Sequence, residues 1–309
     1  MITVVTGGAG FIGSNLVDAL VARGDEVRVL DDLSTGYADN VDPRASLVEG
    51  DIADEYAVLS CLEGADVVFH EAAHRSVLGS VEHPLETDRA NVHGTLTVLD
   101  AAWRQGVRRV VCASSSSVYG GAAARPTTED APTRPLSPYA VSKLTGELYA
   151  RVYAELHGLE TVSLRYFNAF GPRQRPDSAY AAVIPLFIDA LEQGRQPTVY
   201  GDGLQSRDFT FISDVVRANL AAAEAPPGGV SGRVFNIAGG HSYSLLELLG
   251  MLGEILGCDP APLFAGPRAG DVRHSSASIE AARSMLAWEP EVDIRQGLRS
   301  TVEWFSNGG

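Results

Sequence analysis

The sequence is poor in lysine. Of its 24 basic residues only Lys143 is lysine, and the rest are arginine. Cysteine is scarce as well: Cys61, Cys112 and Cys258 are widely scattered. That spacing excludes a thiolate metal cluster and a disulfide framework, and it fits a reducing compartment. No apolar run approaches the ~20 residues of a membrane-spanning helix. The first strand-like run begins at Ile2, which leaves no room for a signal peptide, so a cytoplasmic location away from membranes is expected. Cations are outnumbered by 39 acidic residues, for a net charge of −15. Nucleic-acid binding rests on clustered cations and is not expected. An anionic small ligand would have to be held by a few local arginines against the long-range field.

What is present is an ordinary globular composition: 309 residues, 45% hydrophobic, mean hydropathy +0.02. Such a chain can bury a sizeable core and exceeds one typical domain. In the first half, β-branched runs at 2–5, 27–30, 67–69 and 109–112 alternate with helical patterns at 12–23, 54–63 and 88–105. Alternation of this kind predicts a parallel sheet with right-handed crossovers and helices on both faces. A longer helix follows, with Ser137 as its cap, Pro138 in its first position and Gly158 as its stop. A strand at 161–167 comes next. Beyond Gly171, Pro and Gly become frequent, and a helix at 181–193, strands at 198–200 and 233–237, and a helix at 244–256 suggest a smaller lobe. The predicted fold is α/β, a Rossmann-type doubly wound parallel sheet with a smaller C-terminal substrate-binding lobe. The first 170 residues form the dinucleotide-binding domain, segments near 205–240 return to it, and 171–309 form most of the lobe.

Ligands of open parallel sheets sit beyond the carboxyl ends of the strands. The first strand runs into Gly7-Gly8-Ala9-Gly10-Phe11-Ile12-Gly13 and then a helix. Glycines there allow a tight turn and a close approach of backbone to a pyrophosphate, which the helix N-terminus favours. The second strand ends in Asp31-Asp32. A carboxylate at that point accepts hydrogen bonds from a ribose and repels a 2′-phosphate, so NAD is expected rather than NADP. Asp51 and Ile52 follow the next strand-like segment; Asp51 suits either an adenine contact or a plain helix cap.

The strand at 109–112 opens into Ala113-Ser114-Ser115-Ser116-Ser117-Val118-Tyr119-Gly120, and Tyr139-Ala140-Val141-Ser142-Lys143 lies on the capped helix. Positions i and i+4 share a helix face. The Lys143 ammonium would pull the Tyr139 phenol below its usual value of about 10, making it a base for a hydroxyl proton. A serine after the preceding strand would share that hydrogen bond. Tyr119 and Tyr149 have no such partner and read as packing residues.

These residues resemble the extended short-chain dehydrogenase/reductase family, and within it the nucleotide-sugar (UDP-hexose) 4-epimerases. The resemblance extends over nearly the whole chain: the Gly7–Gly13 loop, Asn91 in Asn-Val-His-Gly-Thr, the serine run, Pro138-Tyr139 to Lys143, and Leu164-Arg165-Tyr166-Phe167-Asn168. It continues through Ser206-Arg207-Asp208-Phe209 and Arg268-Ala269-Gly270-Asp271-Val272. It implies bound NAD, a UDP-sugar substrate oxidised at C4 to a 4-keto sugar, and a homodimer built on helices near 91–105 and 139–157. By motif position, Ser115 and Ser117 would assist Tyr139, and Asn91 would serve the cofactor. Ser116, Asn168, Arg175, Val183, Tyr200, Arg207, Arg268 and Ser275 would hold the substrate. Arg175 lies in a motif whose arginine meets the C6 carboxylate of a glucuronate, although that motif often has Thr where this chain has Asn168. Ser275 falls where bulk limits the sugar, and its small side chain would admit an N-acetylated hexose. UDP-glucose/galactose ranks first, with N-acetylhexosamines and glucuronate behind.

The related 4,6-dehydratases and UDP-glucuronate decarboxylases carry an acid at the position of Ser117, and its lack favours epimerisation. A reading from another class is a non-catalytic NAD-binding regulator, which would not need the Tyr139–Lys143 pair.

Overall fold

The computed structural model describes residues 1–121, 125–176, 182–266 and 272–308. Seven parallel strands form the central sheet: β1 (Ile2–Thr6), β2 (Glu26–Asp31), β3 (Ser46–Glu49), β4 (Val67–His70), β5 (Arg109–Ser115), β6 (Glu160–Tyr166) and the strand Arg233–Ile237. Their order is β3-β2-β1-β4-β5-β6 followed by Arg233–Ile237. The sheet is buried on both faces because successive side chains point opposite ways. Val4, Val68 and Val110 pack into one core with Leu99 and Val58. Val5, Phe69 and Val111 pack into the other with Leu16, Val215 and Phe235. A third core, around Phe170, Phe187, Ile188, Leu248 and Leu298, holds the smaller lobe.

The chain leaves β1 outward to β3 and returns to β4 on β1's other side. The crevice above β1 and β4 is therefore the switch point where ligands of such sheets sit. Register aligns the strand ends, with Thr6 opposite His70, His70 opposite Cys112, and Ser115 opposite Tyr166. The residues that follow these strands thus share one edge.

Local signals set the helix that faces this edge. The Ser137 hydroxyl accepts from Ala140 N–H at 3.1 Å, Pro138 fills the first position, and Gly158 stops the helix Pro138–His157 at φ +70. Two differences from the sequence pattern matter for function. β5 extends to Ser115, so the serine run begins inside the sheet. The expected helix at 88–105 starts instead at Pro84 and passes through a wider, π-type turn, Arg89–His93, before the helix Gly94–Arg104. Helices Ile212–Glu224, Glu280–Leu286 and Ile294–Ser306 lie outside the predicted set. The smaller lobe also has three two-stranded pairings: Ala169–Phe170 with Thr210–Phe211, Ser206–Asp208 with Ser242–Ser244, and Thr198–Tyr200 with Leu263–Ala265.

Candidate active site

The turn after β1 is built for close approach. Gly7 lies at φ +72. A Cβ on it would stand 2.6 Å from the Ala72 nitrogen, and one on Gly13 would stand 2.1 Å from the Gly7 carbonyl oxygen. The helix Phe11–Arg23 begins at Gly10 with no side-chain cap. Its first N–H groups and positive dipole end are left for a ligand, as a pyrophosphate requires. Gly7, Gly10, Phe11, Ile12, Gly13, Asp31, Asp32, Asp51 and Ile52 line one cleft with Tyr139 and Lys143.

Asp31 also braces the glycine loop. Its two carboxylate oxygens accept from Ala9 N–H and Leu33 N–H, each at 2.9 Å, and burial holds its pKa above the usual range. Asp32 is exposed and accepts from the Ser34 N–H and hydroxyl. Asp51 is not a helix cap. It accepts from Ala53 N–H and pairs with Arg89 at 2.7 Å, while Asp54 caps the helix Glu55–Cys61. Asn91 stands behind the cleft wall. It accepts from His74 N–H at 2.7 Å and donates to the His74 carbonyl and the Ser142 hydroxyl, each at 3.0 Å. It shapes the chain after β4 rather than lining the cleft.

That stretch after β4 contains residues the motifs did not single out. His70 is buried between the Thr6 and Thr95 hydroxyls, at 2.7 and 2.9 Å. Burial, and then the Lys143 charge, drop its pKa to about 3, so it is neutral. Glu71 and Arg75 line the cleft. The signal for both was their place directly beyond a strand's carboxyl end.

At the chemical end, Lys143 donates from Nζ to the Ala113 carbonyl at 3.0 Å. Ser115 hydrogen-bonds Tyr139 and its hydroxyl accepts from Ser117 N–H at 3.2 Å. Ser116 opens the short 3-10 turn Ser116–Tyr119. The Ser117 hydroxyl is buried without a hydrogen-bond partner. The phenol behaves differently from the sequence expectation. Burial raises the Tyr139 pKa, and the groups that pull it down are Ser115 and Arg75. Burial likewise lowers Lys143, with Glu71 the main group holding its charge. Desolvation is the largest influence on both groups.

Ser114, by contrast, anchors the strand end. Its hydroxyl donates at 2.5 Å to Glu147, which takes Arg165 through two bonds of 2.8 and 2.6 Å. Arg165 also donates to the Tyr119 hydroxyl at 2.7 Å, and Tyr119 donates to Asn236 at 2.7 Å. Tyr119 is thus a member of a buried polar network that ties β5, β6 and the Tyr139 helix together.

In the lobe, Asn168, at φ +38, donates to the Asp208 carbonyl at 2.8 Å. Ser275 N–H donates to the Ser206 carbonyl at 3.0 Å. Asn168, Arg207 and Ser275 therefore gather on the strand Ser206–Asp208. Val183 begins the helix Val183–Glu192 and Tyr200 ends the strand Thr198–Tyr200. Arg268 lies outside the described residues. Arg175 lines the NAD-type cleft instead, its guanidinium 4.2 Å from the Tyr37 ring centre.

A crevice of this kind belongs to enzymes that bind a dinucleotide across a switch point and move a proton beside it. The chain belongs to the NAD dependent epimerase/dehydratase family, whose sequence profile matches residues 3–238. It is 42% identical to the UDP-glucose 4-epimerase of Mycolicibacterium smegmatis, with 99% of each chain covered. The crystal structure of the Thermotoga maritima UDP-glucose 4-epimerase with UDP-glucose is 37% identical and superposes at a TM-score of 0.96, covering 100% of this chain and 99% of that one. The Thermus thermophilus UDP-glucose 4-epimerase complex with NAD is 35% identical, with a TM-score of 0.92 and 100% coverage of both chains. The expected Rossmann fold, NAD dependence and epimerase-family membership hold.

Proposed function

We propose that the protein is an NAD-dependent UDP-sugar 4-epimerase that interconverts UDP-glucose and UDP-galactose through a transient 4-keto sugar. The observation that carries this reading is the Tyr139 phenol, hydrogen-bonded to Ser115 and set beside Lys143 at one end of the NAD cleft. NAD held in the cleft between the Gly7–Gly13 loop, Asp31 and Tyr139 would supply the reversible hydride acceptor for C4. Tyr139, once its own proton has passed to solvent, would take the O4 proton and give it back, with Ser115 sharing the hydrogen bond. Its phenol, raised by burial, is well suited to holding that proton while the ketone exists. The Ser115 bond and the Arg75 charge favour the phenolate and so let it release one. The uncapped helix start at Gly10 would take the pyrophosphate, and Asp31 the ribose. Asn168, Arg207 and Arg268 would hold the UDP diphosphate, because a guanidinium fork matches phosphate oxygens.

Elimination or decarboxylation needs an acid near the sugar's C5 and C6, and position 117 offers only a hydroxyl. Arg175 is engaged by Tyr37, which removes the main support for a glucuronate substrate. Val141, Leu148, Val152 and Leu156 form an exposed stripe on the Tyr139 helix, next to exposed Trp103. We assign this stripe to a homodimer contact of helices. Among the described residues no helix is long and apolar enough to cross a membrane. The three free cysteines suit the reducing cytoplasm.

Incubation with UDP-glucose, UDP-N-acetylglucosamine and UDP-glucuronate, followed by NMR of C4 configuration, tests the assignment. Conversion of UDP-glucose to UDP-galactose is expected. Absence of inversion on all three with NAD bound, or release of CO₂ or a 6-deoxy sugar, would refute it.

A further inference from the structure

Glu71 is a half-buried carboxyl group that the proposed proton transfer does not use. Its backbone is fixed by a 3.1 Å bond from its N–H to the Thr6 carbonyl. Its side chain accepts from the Tyr166 hydroxyl at 2.7 Å, and the Tyr166 oxygen accepts from Asn219 at 2.8 Å. Three elements therefore hold this carboxyl in the cleft beside Tyr139, Tyr166 and Lys143.

We propose that Glu71 sets the redox balance of the bound nicotinamide: its ionised carboxylate favours the oxidised, cationic ring, and its protonation favours the reduced, neutral one. This rests on the reading that the sugar and nicotinamide meet at Tyr139 and Lys143.

The surrounding charges support the proposal. Facing Glu71 are Lys143, Tyr139, Tyr166, Cys112 and the adjacent His70. Burial keeps the two phenols and the thiol above their usual values and His70 near 3, so these four are neutral. The charged groups that remain are the Lys143 cation and, acting on Tyr139, Arg75, both of which repel a cationic ring. Glu71 is the main group that offsets Lys143. Burial lifts its carboxyl to about 7 against the opposing pull of the Tyr166 bond and Lys143. A cationic ring draws that midpoint lower. The O4 proton would pass to a Tyr139 phenolate that has first given its own proton to solvent, and a ring left neutral by the sugar's hydride would let Glu71 recover a proton from solvent.

Glu71→Gln keeps an acceptor for Tyr166 and removes the charge. The NAD-loaded enzyme is given saturating UDP-glucose, and the equilibrium ratio of reduced to oxidised nicotinamide is read from its near-ultraviolet absorbance across pH. Above pH 7 the variant should hold about tenfold more reduced cofactor, the effect of one unit charge a few ångströms away in a partly screened site. Towards acid pH the two curves should converge, since the native carboxyl is then neutral too. Tyr166→Phe removes a donor that favours ionised Glu71, so it should carry the convergence to higher pH. Superimposable curves for both variants, or equal loss of oxidised and reduced cofactor from Glu71→Gln, would overturn the proposal. Tyr139→Phe separates it from the site reading: cofactor reduction by sugar in that variant would sink the site assignment itself, whatever Glu71 does.

Discussion

Glu147→Gln should be the most damaging single change that touches neither cofactor nor sugar. The Glu147–Arg165 side chains are only 4% and 5% exposed, and the carboxylate accepts from Arg165 twice and from Ser114 once. Gln keeps the shape but removes the charge and turns one acceptor into a donor aimed at a guanidinium. Leaving a buried charge unpaired costs about 3–5 kcal/mol. At about 2.1 cal/mol/K of unfolding entropy per residue, 309 residues translate this into a melting point lower by about 5–8 °C. Because Ser114 precedes Ser115, turnover should fall while the KM for the sugar changes little. Calorimetric melts with matched kinetics measure both. Removing both charges, with Glu147→Leu and Arg165→Met together, should recover most of the lost stability, because an apolar pair of similar volume avoids the desolvation penalty. A loss below about 1 kcal/mol, the level of an exposed pair, or no recovery in the double variant, would show that the network does not brace the site.

Three other changes probe separate parts of the molecule. Lys143→Arg puts a broad fork where a compact ammonium meets the Ala113 carbonyl; turnover should drop about 100-fold or more with folding intact, and near-normal turnover would count against this lysine's assigned role. Gly13→Ala would place a Cβ 2.1 Å from the Gly7 carbonyl oxygen, so purified protein should lose NAD, which direct assay of released cofactor would detect. Asp208 is fully buried, and burial lifts its carboxyl from 3.8 to about 7. The folded chain therefore holds a proton that the unfolded chain releases in that window. Its contribution to stability is present at acid pH and lost as pH rises to about 7, by up to about 1.4 kcal/mol per pH unit. Asp208→Asn should flatten that slope in unfolding curves, and an unchanged slope contradicts the assignment.

How legible these features were depends on how local they are. Ser137, Pro138 and Gly158 act within one turn of their own positions, so the Tyr139 helix could be read residue by residue. The Gly7–Gly13 loop is equally local. Asp31 needed the sheet: only the β1–β2 pairing brings its carboxylate under Ala9 N–H. Asn91 was legible as a marked residue but not in its task, because its partner His74 comes from another segment, the chain after β4, and Asn91 itself sits in a π-type turn. Arg175 was marked by its neighbours in sequence, but its cation–π contact with Tyr37 joins separate segments and needed the fold. Glu71 sits in no spacing pattern at all. Its chemistry arises from burial among β1, β4 and β6, which sequence order does not display.

The sole lysine illustrates why pairing on a helix face was an incomplete argument. Spacing four residues after Tyr139 sets the direction of Lys143, but direction alone does not set a pKa. Both groups are buried, and burial penalises phenolate and ammonium alike; the pair by itself would drift towards two neutral groups, with no base and no cation. What keeps the ammonium charged is Glu71 first, with Glu147 behind it, while Ser115 and Arg75 work on the phenol. In the proposed reaction the working unit is therefore the Tyr139–Lys143 pair together with Glu71 and Arg75. A homologue that kept Tyr139 and Lys143 while losing the acid at position 71 would need another anion within reach of its lysine, or a less buried one, to keep the same proton chemistry.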